Sequence, residues 1–126
     1  MSAIRITIGE LNVTAELDDS PTARKILESL PIEGSANVWG EEIYFDIPVH
    51  IDEAPDAVTE VPVGTLAYWP MGPAFCIFFG PTPVSTGSEP RAYSPVNVFG
   101  RITGDTESLK TVRDGAPIRV EALSDI

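Results

Sequence analysis

The sequence predicts a mainly β protein, a closed barrel of about eight strands whose ends are capped by two short α-helices. Short runs of alternating apolar and polar residues recur along the chain, as half-buried strands of a small barrel require. Twelve prolines and ten glycines among 126 residues indicate frequent turns and therefore short elements. Since 43% of the residues are hydrophobic, we expect residues 1–126 to form a single domain with a packed core.

The first part of the chain reads as a hairpin followed by a helix. Apolar residues alternate with polar ones over residues 4–8 and again over 13–17, with Gly9-Glu10 at the turn between them. The stretch S-P-T-A-R-K-I-L-E-S-L-P, residues 20–31, begins with a serine suited to cap a helix and a proline suited to its first turn. Because so short a helix is unstable alone, we expect its apolar side to cover one open end of a sheet or barrel.

Alternating or wholly apolar runs predict the remaining strands. They lie at residues 42–47, 65–69, 74–79, 96–102 and 118–122. Residues 52–62 are acidic, contain prolines and read as a loop with room for one short strand near Val58. Gly100 interrupts the alternation of its run, which predicts a bulge or a tight bend in the sheet. Residues 105–115 read as the second short helix, with a capping residue at the start and Gly115 at the end.

The charge of the chain argues against two classes of binding partner, nucleic acids and anionic membranes. Acidic residues outnumber basic ones by 19 to 8, which gives a formal charge of −11, and such a surface repels phosphate backbones and anionic membrane surfaces. No apolar run approaches the roughly 20 residues of a transmembrane helix, and the first residues lack the apolar region of a signal peptide. We therefore expect a cytoplasmic protein that binds neither nucleic acid nor membrane.

Motifs for common cofactors and catalytic chemistries are absent from the sequence. It contains no P-loop, dinucleotide fingerprint, HExxH string, cysteine pair or G-x-S-x-G elbow. Cys76, the single cysteine, lies in an apolar run where a buried, unreactive thiol is expected. Glu41, Glu42 and Asp46, with His50 close by, raise the question of a divalent cation. Since Glu42 and Asp46 would lie roughly 13 Å apart along a strand, we expect a solvated acidic face, with no metal and no cofactor.

Several strings in the chain resemble a known family. The string V-N-V-F-G-R-I, followed by a short helix and a last strand, is similar to cyclophilins, as is the phenylalanine-rich run A-F-C-I-F-F. Together with P-T-A, W-G-E-E-I-Y-F and F-F-G-P-T-P, they resemble a small prokaryotic family of cyclophilin-like proteins whose function is not established. The strings occupy residues 21–23, 39–45, 74–79, 78–83 and 96–102. The resemblance implies a compact cyclophilin-like barrel, trimmed relative to true cyclophilins.

The resemblance does not extend to the prolyl isomerase machinery. In true cyclophilins the strand after the first helix supplies an arginine, a phenylalanine and a glutamine, and the arginine hydrogen bonds to the twisted peptide. The matching segment here, residues 41–48, reads E-E-I-Y-F-D-I-P. An ionised carboxylate accepts hydrogen bonds and cannot donate them to a carbonyl. We therefore expect no prolyl isomerase activity and assign no catalytic residue.

Aromatic and polar residues on the outer face form the candidate ligand groove. Tyr44 points outward with Glu42 if Phe45 points inward, and a tyrosine beside carboxylates suits a cationic or polar ligand. In cyclophilins the ligand groove lies over the outer barrel face, and by resemblance seven residues make up the candidate groove here. They are Glu42, Tyr44, Phe78, Thr82, Arg91, Tyr93 and Asn97. For Trp39 and Trp69 the sequence leaves groove and core equally open.

Three functions remain open from the sequence. The first is a non-catalytic binding module for a small polar molecule or a peptide. The alternative is an enzyme or enzyme subunit acting on amide bonds, either a residual prolyl isomerase or a protein associated with amidohydrolases. The latter is an analogy, because cyclophilin-like domains occur in oxoprolinase and urea-amidolyase assemblies. The third is an assembly domain that forms a homodimer through an exposed strand edge.

Overall fold

A computed structural model describes residues 2–123, which form ten strands, one α-helix and one 3-10 helix. In chain order the elements are β1 (Ser2–Ile8), β2 (Leu11–Leu17), α1 (Pro21–Ser29), β3 (Ile32–Ser35), β4 (Asn37–Trp39), β5 (Glu42–Asp46), β6 (Val58–Glu60), β7 (Thr65–Trp69), β8 (Ala74–Phe78), β9 (Arg91–Ile102), the 3-10 helix (Glu107–Thr111) and β10 (Pro117–Ala122). The prediction of a mainly β protein is confirmed, as are the opening hairpin and the first helix.

The prediction of a closed barrel of eight strands is wrong. The strands form one sheet in the order β3-β10-β1-β2-β9-β7-β8-β5-β4, and β6 pairs with β9 outside this path. The two edge strands, β3 and β4, are not hydrogen bonded to each other; the chain passes from one to the other through the single residue Ala36. One residue is too short a connection for the hairpin that would pair them. These two strands are also the ones that the sequence did not predict, since neither is long enough to show alternation.

The first helix agrees with the prediction, whereas the second differs from it. In α1 the Ser20 hydroxyl accepts a hydrogen bond from the backbone N–H of Ala23 at 3.1 Å, and Pro21 occupies the first turn, as expected. The second predicted α-helix is a 3-10 helix of five residues, in which Leu109 is the buried residue. A helix of five residues with one buried side chain is short enough to adopt the tighter i→i+3 hydrogen-bond pattern. No helix within residues 2–123 has the length and apolar character needed to cross a membrane.

The strands β5, β7 and β8 are covered on both faces, and this positions the site. One face carries the main core, which includes Ile43, Phe45 and Phe75. The other face carries a second cluster in which Cys76 and Phe78 pack with residues from the first half of β9. That half of β9 extends past the end of β7 and pairs instead with β6. A register shift in the β7–β9 ladder occurs at the segment containing Gly100, where a bulge or bend was predicted.

Candidate functional site

A pocket of about 270 Å³ opens on the face of the sheet that carries the second cluster. Five strands, β4, β5, β7, β8 and β9, contribute its walls. Its lining consists of Trp39, Glu42, Tyr44, Trp69, Cys76, Ala92, Tyr93 and Val96. We call this the aromatic pocket, because half of the lining residues carry an aromatic ring and a single one carries a carboxyl group.

The strand register explains why these side chains meet. Trp39 on β4 pairs with Glu42 on β5, and Tyr44, two residues further on, pairs with Cys76 on β8. Glu42 and Tyr44 point to the same face because side chains alternate along a strand. Ile43 and Phe45, which lie at the intervening positions, enter the main core. The predicted facing of β5 is therefore confirmed.

Glu42 is buried at the bottom of the pocket, with 6% of its surface exposed. Burial raises the pKa of its carboxyl from the ordinary 4.5 to about 7, while a hydrogen bond with the Cys76 thiol acts in the opposite direction. The same burial, together with the neighbouring Glu42 charge, raises the pKa of the Cys76 thiol well above its usual value. The thiol is therefore neutral and unreactive, and it donates weakly to the Ala74 carbonyl at 3.9 Å. The carboxyl of Glu42 changes charge near neutral pH.

The aromatic rings are arranged as the sides of an open box. The Tyr93 ring lies 6.4 Å from the Trp39 ring at an interplanar angle of 71°, and 6.2 Å from the Trp69 ring at 82°. The Trp69 indole N–H donates to the hydroxyl of Ser94 at 2.6 Å, which fixes the orientation of that ring. Tyr93 is 70% exposed, so it forms the outer rim, where a ligand would enter.

The electrostatic environment of the pocket is negative. The pKa of Tyr44 is raised first by burial and then by the charges of Glu42, Asp114 and Asp46. Among the described residues that line the pocket, none carries a positive charge. The pocket therefore combines one buried carboxyl with aromatic walls and no cationic side chain to neutralise it.

Comparison with known proteins decides the family of the chain. The family model described as cyclophilin-like matches residues 2–121. The chain belongs to the cyclophilin-like family. It is also similar to the hypothetical protein AF2241 from Archaeoglobus fulgidus, known from a solution structure, with 39% identity and a TM-score of 0.83 over 97% of this chain and 95% of that one. A search of curated proteins found no match. The family predicted from the sequence strings is thus confirmed.

The structure brings together some of the residues predicted for the candidate groove of this cyclophilin-like protein and separates the others. Three of its seven predicted residues, Glu42, Tyr44 and Tyr93, line the aromatic pocket. The other four lie elsewhere. Phe78 is fully buried in the second cluster. Arg91 forms an exposed ion pair with Glu60 at 3.2 Å.

Asn97 and Thr82 hold the backbone together rather than line the pocket. The Asn97 amide donates to the Thr22 hydroxyl at 3.2 Å and to the Asp52 carbonyl at 2.9 Å, and it accepts from the Ala54 N–H at 2.8 Å. The Thr82 hydroxyl donates to the carbonyl of Arg91. Both side chains tie loops to β9, so they act on the pocket only through the position of that strand.

The structure corrects one expectation at the acidic face of β5 and adds residues to the site. Asp46 is exposed, as expected, but Glu42 is buried, and it lines the same pocket as residues from the first half of β9. Trp39 and Trp69, which the sequence left open between groove and core, both line the pocket. Cys76 is buried as predicted. Across residues 2–123, no group of three or more histidine, cysteine, aspartate or glutamate side chains is arranged to hold a metal ion.

Proposed function

We propose that this cyclophilin-like protein is a binding module that holds a small polar molecule, or a polar group of a peptide, in the aromatic pocket. The observation that carries the proposal is the buried carboxyl of Glu42 at the bottom of an otherwise largely apolar cavity. A desolvated carboxyl is costly unless a partner compensates it. Apolar walls with one or a few placed polar groups are the usual composition of a small-ligand site.

The size of the pocket limits what it accepts. A volume of about 270 Å³ equals that of about nine water molecules at roughly 30 Å³ each. This is slightly below the roughly 300 Å³ at which drug-sized ligand sites begin. The ligand is therefore a small molecule, or one end of a larger one that projects past Tyr93 into solvent.

The absence of prolyl isomerase activity stays a prediction, and the pocket composition supports it. Among the described residues that line the pocket there is neither an arginine nor a glutamine. Arg91, the predicted groove arginine, is paired with Glu60 outside the pocket. The donors among these lining residues are indole N–H groups, tyrosine hydroxyls, a thiol and a protonated carboxyl, and none of them corresponds to the guanidinium of an isomerase.

A thermal-shift screen with small polar metabolites and short peptides tests the proposal. A ligand present at 100 times its Kd should add about 2.7 kcal/mol to the free energy of unfolding. The shift should shrink in Glu42→Gln and persist in Glu60→Gln, which makes the same substitution at an exposed site outside the pocket. If no compound raises the Tm, or if both variants respond like the wild type, the pocket is not a ligand site.

A second candidate function is acid–base catalysis by Glu42 on a bound amide. The observation that favours it is a pKa of about 7 for a carboxyl inside a cleft, which is where a general acid or base works best. The two functions make different predictions for the Glu42→Gln variant. An enzyme would lose turnover of a bound amide while retaining the ligand, whereas a binding module would release no product in either form.

A further inference from the structure

We propose that the aromatic pocket recognises an organic ammonium ion, held between the Glu42 carboxylate and the surrounding aromatic rings. This deepens the proposed binding function and rests on it. The ligand class would be a protonated or alkylated amine, as a free molecule or as the end of a modified lysine side chain. Three features of the pocket lead to it: the sign of its charge, the arrangement of its rings and the exposure of its rim.

The charges around the pocket favour a cation. Glu42 lies within it, and the charges of Asp46 and Asp114 act on the neighbouring Tyr44. None of the described lining residues is a lysine, arginine or histidine. An anionic ligand would meet repulsion from every one of these carboxylates. A cation would restore to Glu42 the partner that burial has removed.

The rings favour an organic cation over a metal ion. The indoles of Trp39 and Trp69 stand at 71° and 82° to the Tyr93 ring, with Tyr44 as a fourth ring in the lining. An aromatic face attracts a cation within about 6 Å of its centre, and cages of such rings recognise quaternary ammonium groups. A metal ion such as calcium would need six or more oxygen ligands, whereas one carboxylate lines this pocket.

The mouth of the pocket allows the ammonium group to belong to a larger molecule. Tyr93 forms the rim and is 70% exposed. A free choline-like molecule and a peptide with a trimethylated lysine would present the same head group to Glu42. The chemistry is shared by both sources, and separate arms of the experiment distinguish them.

The experiment compares choline with 3,3-dimethyl-1-butanol, a neutral molecule of the same shape in which carbon replaces the charged nitrogen. Each is titrated into the protein at about pH 8 and moderate salt, and the emission of Trp39 and Trp69 is followed. We expect choline to bind at least roughly tenfold more tightly than the neutral molecule, because only the cation interacts with the carboxylate and the rings. A trimethyllysine peptide and its unmethylated form make up the second arm.

Three variants locate the preference. Glu42→Gln should reduce the choline preference to less than about threefold, and Tyr93→Leu should weaken choline more than the neutral molecule, because leucine offers no aromatic face to a cation. Glu60→Gln is the matched control and should leave the preference unchanged. Circular dichroism melts establish that each variant is folded. Equal binding of choline and its neutral counterpart would overturn the proposal, as would a preference that survives Glu42→Gln.

The inference and the proposed function fail in different ways. If no ammonium compound binds, but a neutral or acidic metabolite from the screen binds and is lost in Glu42→Gln, the ammonium inference is wrong and the binding function stands. If no compound of any class binds, both are wrong. If choline binds and the trimethyllysine peptide does not, the ligand is the free molecule; the reverse result indicates a modified protein tail.

Discussion

The carboxyl of Glu42 and the thiol of Cys76 are neighbours on adjacent strands, and both side chains line the aromatic pocket. They are diagonal in the ladder, since Glu42 pairs with Phe78 and Cys76 pairs with Tyr44. The neighbouring thiol offsets only part of the effect of burial on the Glu42 pKa. Glu42 therefore costs the folded protein stability when it is ionised.

The Glu42→Gln substitution should make the protein more stable at alkaline pH and leave it unchanged in acid. The folded-state pKa of about 7 lies above the unfolded value of 4.5, so the folded state binds the proton more tightly. Below about pH 4.5 the protonated Glu42 costs the protein no stability. The free energy of unfolding of the wild type then falls as the pH rises through 7, and it levels off above that pH. A pKa rise of this size corresponds to a loss of roughly 3 kcal/mol in the free energy of unfolding.

Chemical denaturation of both proteins at about pH 4 and pH 8 measures this effect. Other carboxyl groups contribute equally to the two proteins, so the difference in unfolding free energy isolates Glu42. The advantage of the variant should grow by up to roughly 3 kcal/mol between the two pH values. A difference that is independent of pH would mean that Glu42 is solvated.

Binding of an ammonium ligand should strengthen as the pH rises through about 7. The groups that face the Glu42 carboxyl or its neighbour Tyr44 are Cys76, Asp46 and Asp114. The Cys76 and Tyr44 pKa values are both raised, so these groups stay neutral over this range. Titration calorimetry in buffers of different ionisation heat should show about half a proton released per ligand bound near pH 7, since the cation favours the ionised carboxyl. Affinity that is constant from about pH 5 to pH 8 would contradict this.

The Asn97→Ala substitution should destabilise the protein by about 2–4 kcal/mol, because it removes three hydrogen bonds of a side chain that is itself buried and leaves the buried Thr22 hydroxyl without that partner. The matched control is Asn12→Ala, since Asn12 is exposed and bonded to a single threonine hydroxyl. Urea denaturation should show a loss below about 0.5 kcal/mol for the control. Similar losses in both variants would show that the Asn97 network contributes nothing special.

The Gly100→Ala substitution should also be destabilising, by about 1–3 kcal/mol. A Cβ atom at this position would lie 2.5 Å from the backbone carbonyl oxygen of Glu16 on β2, which cannot move without breaking the ladder. Gly104→Ala provides the control, since nothing lies within 4 Å of its Cβ position. Thermal melts should show a lower Tm for the first variant and an unchanged or slightly higher Tm for the second.

Local patterns predicted the parts of the fold that depend on local physics. Alternation along residues 42–46 identified β5 and the common facing of Glu42 and Tyr44, and Ser20-Pro21 identified the start of α1. Strands β3 and β4 escaped prediction because three or four residues are too few to show a period. The edge of the sheet therefore could not be placed, and an open sheet was expected to be closed.

The composition of the pocket depends on contacts between distant residues. Trp39 and Trp69 lie thirty residues apart, and only the register through β5 and β8 places both beside Tyr93. Glu42 shares its pocket with the first half of β9, which leaves β7 to pair with β6. No periodicity in the sequence reports such a departure, which is why Glu42 was expected on a solvated face.

The protonation of Glu42 itself is the most direct measure of this account. A nuclear magnetic resonance titration that follows its side-chain carboxyl carbon gives the pKa in the free protein and with choline present. We predict a midpoint of about 7 without ligand and a clearly lower midpoint with choline bound. A midpoint near 4.5 that choline does not move would show a solvated carboxyl outside any binding site and would contradict the account.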